Sequence, residues 1–420
     1  MSPTNALQFM FNPMTTFVRA CRRPSSGWVC QLLLMLCLAL TLTSASAQPV
    51  PTPPQATPPP SAPPIASASH ILLDFASGKV LAEKESGNQV EPASITKIMT
   101  TYVVFQELRQ GRIQLSDEVS ISEKAWGTEG SRMFVDVNSK VPVSELLKGV
   151  IIQSGNDASV ALAEYVAGSE EAFAGLMNHY AELLGMTRSR FVNATGLPHP
   201  EHLTSAHDVA LLVRALISEF PEEYQLYSEK EYSYNGIRQS NRNLLLWRDP
   251  SVDGVKTGHT QSAGYCLAAS AERDGMRLIS VVMGTENEKA RAESSQALLN
   301  YGFRFYETVR LYQPQDTLAT RQIWKGDSEE VALGVAEIWH LTLPRGRYKD
   351  LEAHMEVDQR LLAPLAQGTA VGHAVITLDG EELDRRPLVS LADVAEAGFF
   401  GRTWDGMKLW FDSLGGDEDE

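Results

Sequence analysis

Cysteine is scarce: of four in 420 residues, Cys21, Cys30 and Cys37 fall within the first 47. Cys266 therefore stands alone beyond that point, no internal disulfide is available, and the fold must rest on its core. Its setting, Tyr265-Cys266-Leu267-Ala268-Ala269, predicts a buried strand thiol rather than a reactive one. Positive charge is also short. Beyond residue 47 the chain carries 33 Lys and Arg against 52 Asp and Glu, a net charge of −19. An acidic surface of this size excludes nucleic acid as a partner and gives no broad attraction to anionic lipid. The apolar run over residues 31–42 is too short to span a membrane. His-Glu-x-x-His does not occur, and the spacing of His199, His202 and His207 misses the one-turn ligand pattern, so no metal site is expected. The Gly-x-Ser-x-Gly elbow of α/β-hydrolases is absent too.

The two ends of the chain read as addresses and tethers. Arg19, Arg22 and Arg23, the apolar run and Ala45-Ser46-Ala47 compose an export signal over residues 1–47. From Gln48 to Ile65 nine of eighteen residues are proline, so residues 48–66 are an extended linker, with ordered structure expected near Ser67. At the other end Phe400, Trp404, Met407, Phe411 and Leu414 share one helical face opposite Arg402, Asp405, Lys408 and Asp412. Residues 398–414 thus read as an amphipathic helix lying at a membrane surface, although the acidic tail over 415–420 opposes anionic lipid.

Between these ends two textures follow one another. Residues 67–312 open with a hairpin (70–74 and 79–82). Four helical segments follow, starting near Ala93, Val143, Ser169 and Ala206. Strands at 255–257, 264–270 and 277–283 and a helix over 291–301 close the region. Strands flanking a helical block imply an α/β (α+β) domain with helices on an antiparallel sheet. Residues 313–397 carry short strand-like runs at 331–335, 338–343, 351–357 and 370–378, which predict a separate small all-β domain.

Three short motifs carry the chemistry: Ser94-Ile95-Thr96-Lys97, Ser154-Gly155-Asn156 and Lys256-Thr257-Gly258. A serine hydroxyl needs a base in hydrogen-bond contact, and Lys97 lies three residues on, on the same face of a helical turn. A lysine becomes a useful base when burial and a neighbouring cation lower its pKa, and Lys256 is that neighbour. Ser154 is placed to bridge the amines and carry a proton to the leaving group, and Asn156 to hold Lys97 or the substrate amide. Lys256 and Thr257 on an edge strand present an ammonium and a hydroxyl to a carboxylate, and Gly258 permits close backbone approach. The helix start at Ser94 and a strand N–H just after Gly258 supply the two oxyanion donors.

With these residues in place the sequence resembles the low-molecular-mass penicillin-binding proteins of serine peptidase family S11, the D-alanyl-D-alanine carboxypeptidases of the penicillin-binding protein 5/6 type. The resemblance extends through Asn235-Gly236-Ile237-Arg238-Gln239, Pro344-Arg345-Gly346-Arg347 and Arg386-Pro387-Leu388-Val389. It implies a transpeptidase/β-lactamase-like domain, a β-rich domain and a C-terminal anchor. It implies Ser94 as acyl-enzyme nucleophile, Lys97 as its base and Ser154 as proton shuttle. It further implies a substrate site of Asn156, Lys256, Thr257, Gly258, the backbone N–H of His259, and Arg291. The implied substrates are peptidoglycan stem pentapeptides, with β-lactams as acylating mimics, no cofactor, and a periplasmic location on the outer face of the inner membrane. A β-lactamase is disfavoured: Gly155 replaces the Asp of class A enzymes, and residues 193–203 hold no clear glutamate motif. An endopeptidase would share all three motifs, and an idle wall-binding protein is the alternative from another class.

Overall fold

The computed structural model describes residues 58–398 apart from residue 359. The export signal, the linker up to residue 57 and the amphipathic segment from residue 399 onward lie outside the described residues. The expected hairpin is present as β1 (Ser69–Asp74) and β2 (Val80–Lys84). It joins β3 (Val252–Thr260), β4 (Gly264–Arg273) and β5 (Met276–Thr285) in a five-stranded antiparallel sheet of order β2-β1-β5-β4-β3. β3 is an edge strand, so one side of its backbone stays open.

Side chains of this sheet alternate between two cores, as the pleat requires. Ile71, Leu73, Ile279, Val281 and Met283 face the helical block. Leu72, Leu278 and Val282 face the opposite side. The helical block contains α1 (Lys97–Arg109), α2 (Asn156–Ala167), α3 (Glu170–Leu183) and α4 (Ala206–Glu219). α1 is buried from Lys97 to Glu107, so it forms the middle of the block rather than a surface helix. α3 and α4 begin where Ser169 and Ser205 accept the backbone N–H groups of Ala172 and Asp208, each satisfying one orphan donor of a first turn. α2 was not expected, because Ala158, Val160, Ala161, Leu162 and Ala163 are all buried and leave little polar face to set a period. The opposite core is closed by α5 (Glu288–Phe305), through Leu298 and Leu299. Ala62 and Ile65 also pack there, and the Tyr301 hydroxyl donates to the Pro60 carbonyl at 2.9 Å. The end of the proline-rich segment is thus already docked ahead of Ser67.

α5 runs directly into β6 (Tyr306–Tyr312), which pairs with β9 (Trp339–Pro344). A six-stranded sheet completes the second assembly. It contains β7 (Ala319–Trp324), β8 (Glu330–Gly334), β10 (Leu351–Val357), β11 (Leu361–Leu362), β12 (Ala370–Leu378) and β13 (Glu381–Ser390). Its order is β10-β12-β13-β8-β7-β11. The two assemblies meet at Asp74, which is fully buried. Its carboxylate accepts the Ser77 backbone N–H and hydroxyl, both at 2.8 Å, and the Thr308 hydroxyl at 2.7 Å. Lys79 adds a hydrogen bond to the Thr342 carbonyl at 3.0 Å. Among the described residues no helix is long and apolar enough to cross a membrane.

Trp339 is the largest fully buried side chain of the β-rich assembly, with its indole N–H donated to Asp384 at 2.8 Å. Trp339→Ala removes that packing and leaves Asp384 short of a donor. A stability loss of about 3–5 kcal/mol is expected, read as a lower urea midpoint.

Candidate active site

Ser94 sits in a short 3₁₀ turn, Ala93–Thr96, that feeds into α1 at Lys97. In a 3₁₀ turn residues i and i+3 eclipse, which aligns Ser94 with Lys97 more closely than an α-turn would. The Lys97 ammonium nitrogen lies 3.0 Å from Ser94 Oγ, 2.7 Å from Asn156 Oδ1 and 2.6 Å from the Thr195 carbonyl. The orientation of Asn156 is fixed by its other end, which donates from Nδ2 to the Glu129 carbonyl at 2.5 Å. The carbonyl oxygens of Asn156 and Thr195 can only accept. A neutral Lys97 therefore spends its two N–H bonds on them and turns its lone pair to Ser94. Burial, and then the nearby Arg242 guanidinium, lower the Lys97 pKa to about 7, against an opposing pull from Asp157. Near neutral pH a substantial fraction of this amine is unprotonated and able to accept a proton from the serine it contacts.

The strand residues close the other wall. On β3, Lys256, Thr257, Gly258 and His259 pair with Ala268, Leu267, Cys266 and Tyr265 of β4. Lys256 is buried, and desolvation together with Lys97, Arg242 and Arg291 depresses its pKa well below the usual lysine range. Gly258 eases a close approach: a Cβ there would stand 3.0 Å from the Pro92 carbonyl and 3.2 Å from the Ile95 nitrogen. The strand can thereby lie flush against the turn that carries Ser94. Arg291, from the first turn of α5, donates to the Gly258 carbonyl at 3.2 Å, and its side chain is almost wholly buried.

A cavity of about 440 Å³ gathers Ser94, Ser154, Asn156, Thr257, Gly258, His259 and Arg291 on one surface. Lys97 and Lys256 lie buried within the same site, so the structure brings together all nine residues singled out in the sequence. Ser154 differs from expectation in one respect. It ends a π-turn (Gly149–Gln153) in the left-handed conformation, φ 66°, and its buried hydroxyl makes no hydrogen bond among the described residues. It faces the cavity without yet bridging the two amines. Cys266 behaves as expected, buried on β4 with its thiol pushed up to about 11 by desolvation.

Several residues of the site were not anticipated. Arg242 lines the cavity and acts on the charge of Lys97, Lys256 and Arg291. Its only sequence signal is its place between Asn241 and Asn243, both buried. Asp157 accepts the backbone N–H groups of Met133 (3.0 Å), Phe134 (2.9 Å) and Val135 (3.3 Å), which fixes the loop above Asn156. Gly196, at φ +81°, lies against the nucleophile turn so closely that a Cβ would stand 1.8 Å from the Ala93 carbonyl oxygen. His202 is a core residue. Its Nδ1 accepts the Val192 N–H at 3.1 Å, so its proton is on Nε2 and is given to Thr96 at 2.8 Å. Burial lowers its pKa to about 4 and keeps it neutral.

The Lys97 value sets a pH dependence. Below about pH 7 the amine is protonated, its lone pair is lost, and attack by Ser94 slows. The second-order rate of Ser94 acylation by a penicillin is expected to fall about tenfold per unit on the acid side of an apparent midpoint near 7. Stopped-flow acylation from pH 5 to 9 reads this directly, and a flat profile would remove Lys97 from the role of base.

Comparison with known proteins gives a consistent picture. The D-alanyl-D-alanine carboxypeptidase family (peptidase S11) matches residues 56–287, and the C-terminal domain of penicillin-binding protein 5 matches residues 306–396. The chain is 48% identical over 364 residues to D-alanyl-D-alanine carboxypeptidase DacC of Escherichia coli, covering 84% of this chain and 91% of that protein. Identity to DacA of the same organism is 46% over 360 residues, covering 84% and 89%. Penicillin-binding protein 5 from Haemophilus influenzae superimposes with a TM-score of 0.78 at 41% identity, over 80% of this chain and all of that one. Motifs, fold and relatives converge: the chain belongs to the S11 family of serine D-alanyl-D-alanine carboxypeptidases, and is a penicillin-binding protein.

Proposed function

We propose that Ser94 Oγ attacks the carbonyl carbon of the penultimate D-Ala in a peptidoglycan stem pentapeptide while Lys97 takes its proton. The observation that carries this assignment is the Lys97 nitrogen, held by two obligate acceptors at 2.7 and 2.6 Å with its remaining direction toward Ser94. The tetrahedral oxyanion sits between the backbone N–H groups of Ser94 and His259. Ser154 relays the proton to the departing D-Ala nitrogen, and the C–N bond breaks to leave an acyl-enzyme. Lys256, Thr257 and Arg291 hold the terminal carboxylate, and Asn156 keeps Lys97 aligned. Water then attacks the ester, its proton returns to Ser94, and the shortened peptide leaves. A β-lactam enters the same path because its ring amide and carboxylate stand in for the terminal D-Ala-D-Ala. Asn156 and Lys97 need no metal or organic group for any of these steps.

The most direct check is intact mass after brief exposure to penicillin. The wild type gains one penicillin and Ser94→Ala gains none. Adduct on both proteins, or on neither, would remove Ser94 as the nucleophile. The same adduct, followed in time, separates a slowly deacylating carboxypeptidase from a β-lactamase.

The proposal extends to place. Residues 1–47 direct export, the proline-rich stretch ahead of the docked Pro60 is a linker, the unit up to Phe305 acts on the peptide, and residues 306–397 hold that unit away from a surface. Residues 398–414 lie on the outer face of the inner membrane through their apolar face. Co-sedimentation with vesicles of bacterial lipid composition tests this. The protein from residue 48 to 420 is expected in the pellet and the form ending at residue 397 in the supernatant. Equal partition of both forms overturns the anchor.

A further inference from the structure

One ring on the cavity wall belongs to none of the three motifs. Tyr265 lines the cavity with Ser94, opposite His259 in the β3–β4 register. Its ring stacks on the His259 imidazole, with centroids 3.9 Å apart and planes 30° from parallel. The guanidinium carbon of Arg291 lies 5.5 Å from the centroid of the same tyrosine ring. Arg291 is further held by the Gly258 carbonyl at 3.2 Å. Its acidic neighbour among the described ion pairs is Glu288, long at 3.5 Å and mostly exposed. A guanidinium carries five N–H donors, and these two contacts leave others for a ligand. An aromatic face attracts and orients a cation without supplying a competing carboxylate. A closer acidic partner would occupy the donors that the substrate's carboxylate is to meet.

We propose that Tyr265 is a positioning residue, whose ring holds the Arg291 guanidinium where it receives the C-terminal carboxylate of the peptide substrate. This rests on the reading of Arg291 as a partner of that carboxylate. The ring matters and the hydroxyl does not. Preorganisation of this kind removes the cost of immobilising a long side chain during binding, so its loss appears in substrate affinity before it appears in the chemical step.

Steady-state hydrolysis of an N-acylated peptide ending in D-Ala-D-Ala tests this on the folded two-domain protein. Four variants are compared with wild type: Tyr265→Leu, Tyr265→Phe, Arg291→Ala and Tyr265→Leu combined with Arg291→Ala. Leucine fills much of the space but has no π face. Tyr265→Leu is expected to raise KM about tenfold with kcat within about threefold, and Tyr265→Phe to restore KM to near the wild-type value. In the Arg291→Ala background Tyr265→Leu is expected to add less than about twofold. An equal effect in both backgrounds, a loss confined to kcat, or no rescue by phenylalanine overturns the positioning role. So does a Tyr265→Leu protein with wild-type KM. Should Arg291→Ala leave KM unchanged, the carboxylate reading of Arg291 itself fails, and this proposal falls with it. Should Tyr265→Leu not fold, the Tyr265→Phe protein decides alone: a raised KM with normal thermal unfolding overturns it, and an unchanged KM supports it.

Discussion

The structure is organised around an amine kept away from water. Removing an ammonium from solvent costs several kcal/mol, of order the net stability of a small domain, so a buried lysine must be surrounded by something that tolerates it. At Lys97 that surrounding is two carbonyl oxygens and the serine it serves. A paired carboxylate would have stabilised the charged form and ended its use as a base. Instead the cavity collects further positive groups, Arg242, Lys256 and Arg291, and Arg242 adds to the desolvation that lowers the pKa values of Lys97, Lys256 and Arg291. Burial does most to lower the Lys97 pKa, and the positive charge that adds to it also leaves the cavity wall attractive to an anion.

Holding that arrangement falls to groups drawn from several separate segments of the chain. Thr195 and Asn156 reach Lys97 from different segments, and each is fixed by its own neighbours. Asp157 binds three consecutive backbone N–H groups of the 133–135 loop, while the Asn156 backbone N–H takes the Ser131 carbonyl at 2.7 Å. Gly196 and Gly258 let two chain segments close on the turn that carries Ser94, Gly196 at a distance no Cβ would allow and Gly258 at one a Cβ would crowd. Ala93, beside the serine, is itself in the left-handed region at φ 47°, a strain that the packing of these segments retains. The second assembly touches the first at Asp74, on the hairpin rather than at the cavity. None of its residues lines the cavity that holds Ser94.

Much of this was legible in the chain. Spacing of three between Ser94 and Lys97 is a local property that any helical turn converts into contact, and the observed 3₁₀ turn does so at 3.0 Å. Short apolar runs bounded by turn residues located β1, β4 and β5, while Ser169-Glu170 marked the start of α3 and Ala206, with Asp208 close behind it, that of α4. α2 escaped because its Ala-rich first two turns are buried on every side and leave little amphipathic period to read.

By itself the sequence singled out the groups that the structure brings together in one cavity and the family to which the chain belongs. It did so because those features depend on residue type and short spacing. The pKa of Lys97, the left-handed Ser154, the roles of Thr195, Gly196 and Arg242, and the stack of His259, Tyr265 and Arg291 were decided only by tertiary structure. Most arise from groups far apart along the chain, such as Lys97 and Thr195 at a separation of 98 residues, meeting where water is excluded. Local pattern cannot encode desolvation, because desolvation is a property of everything else that packs around the group.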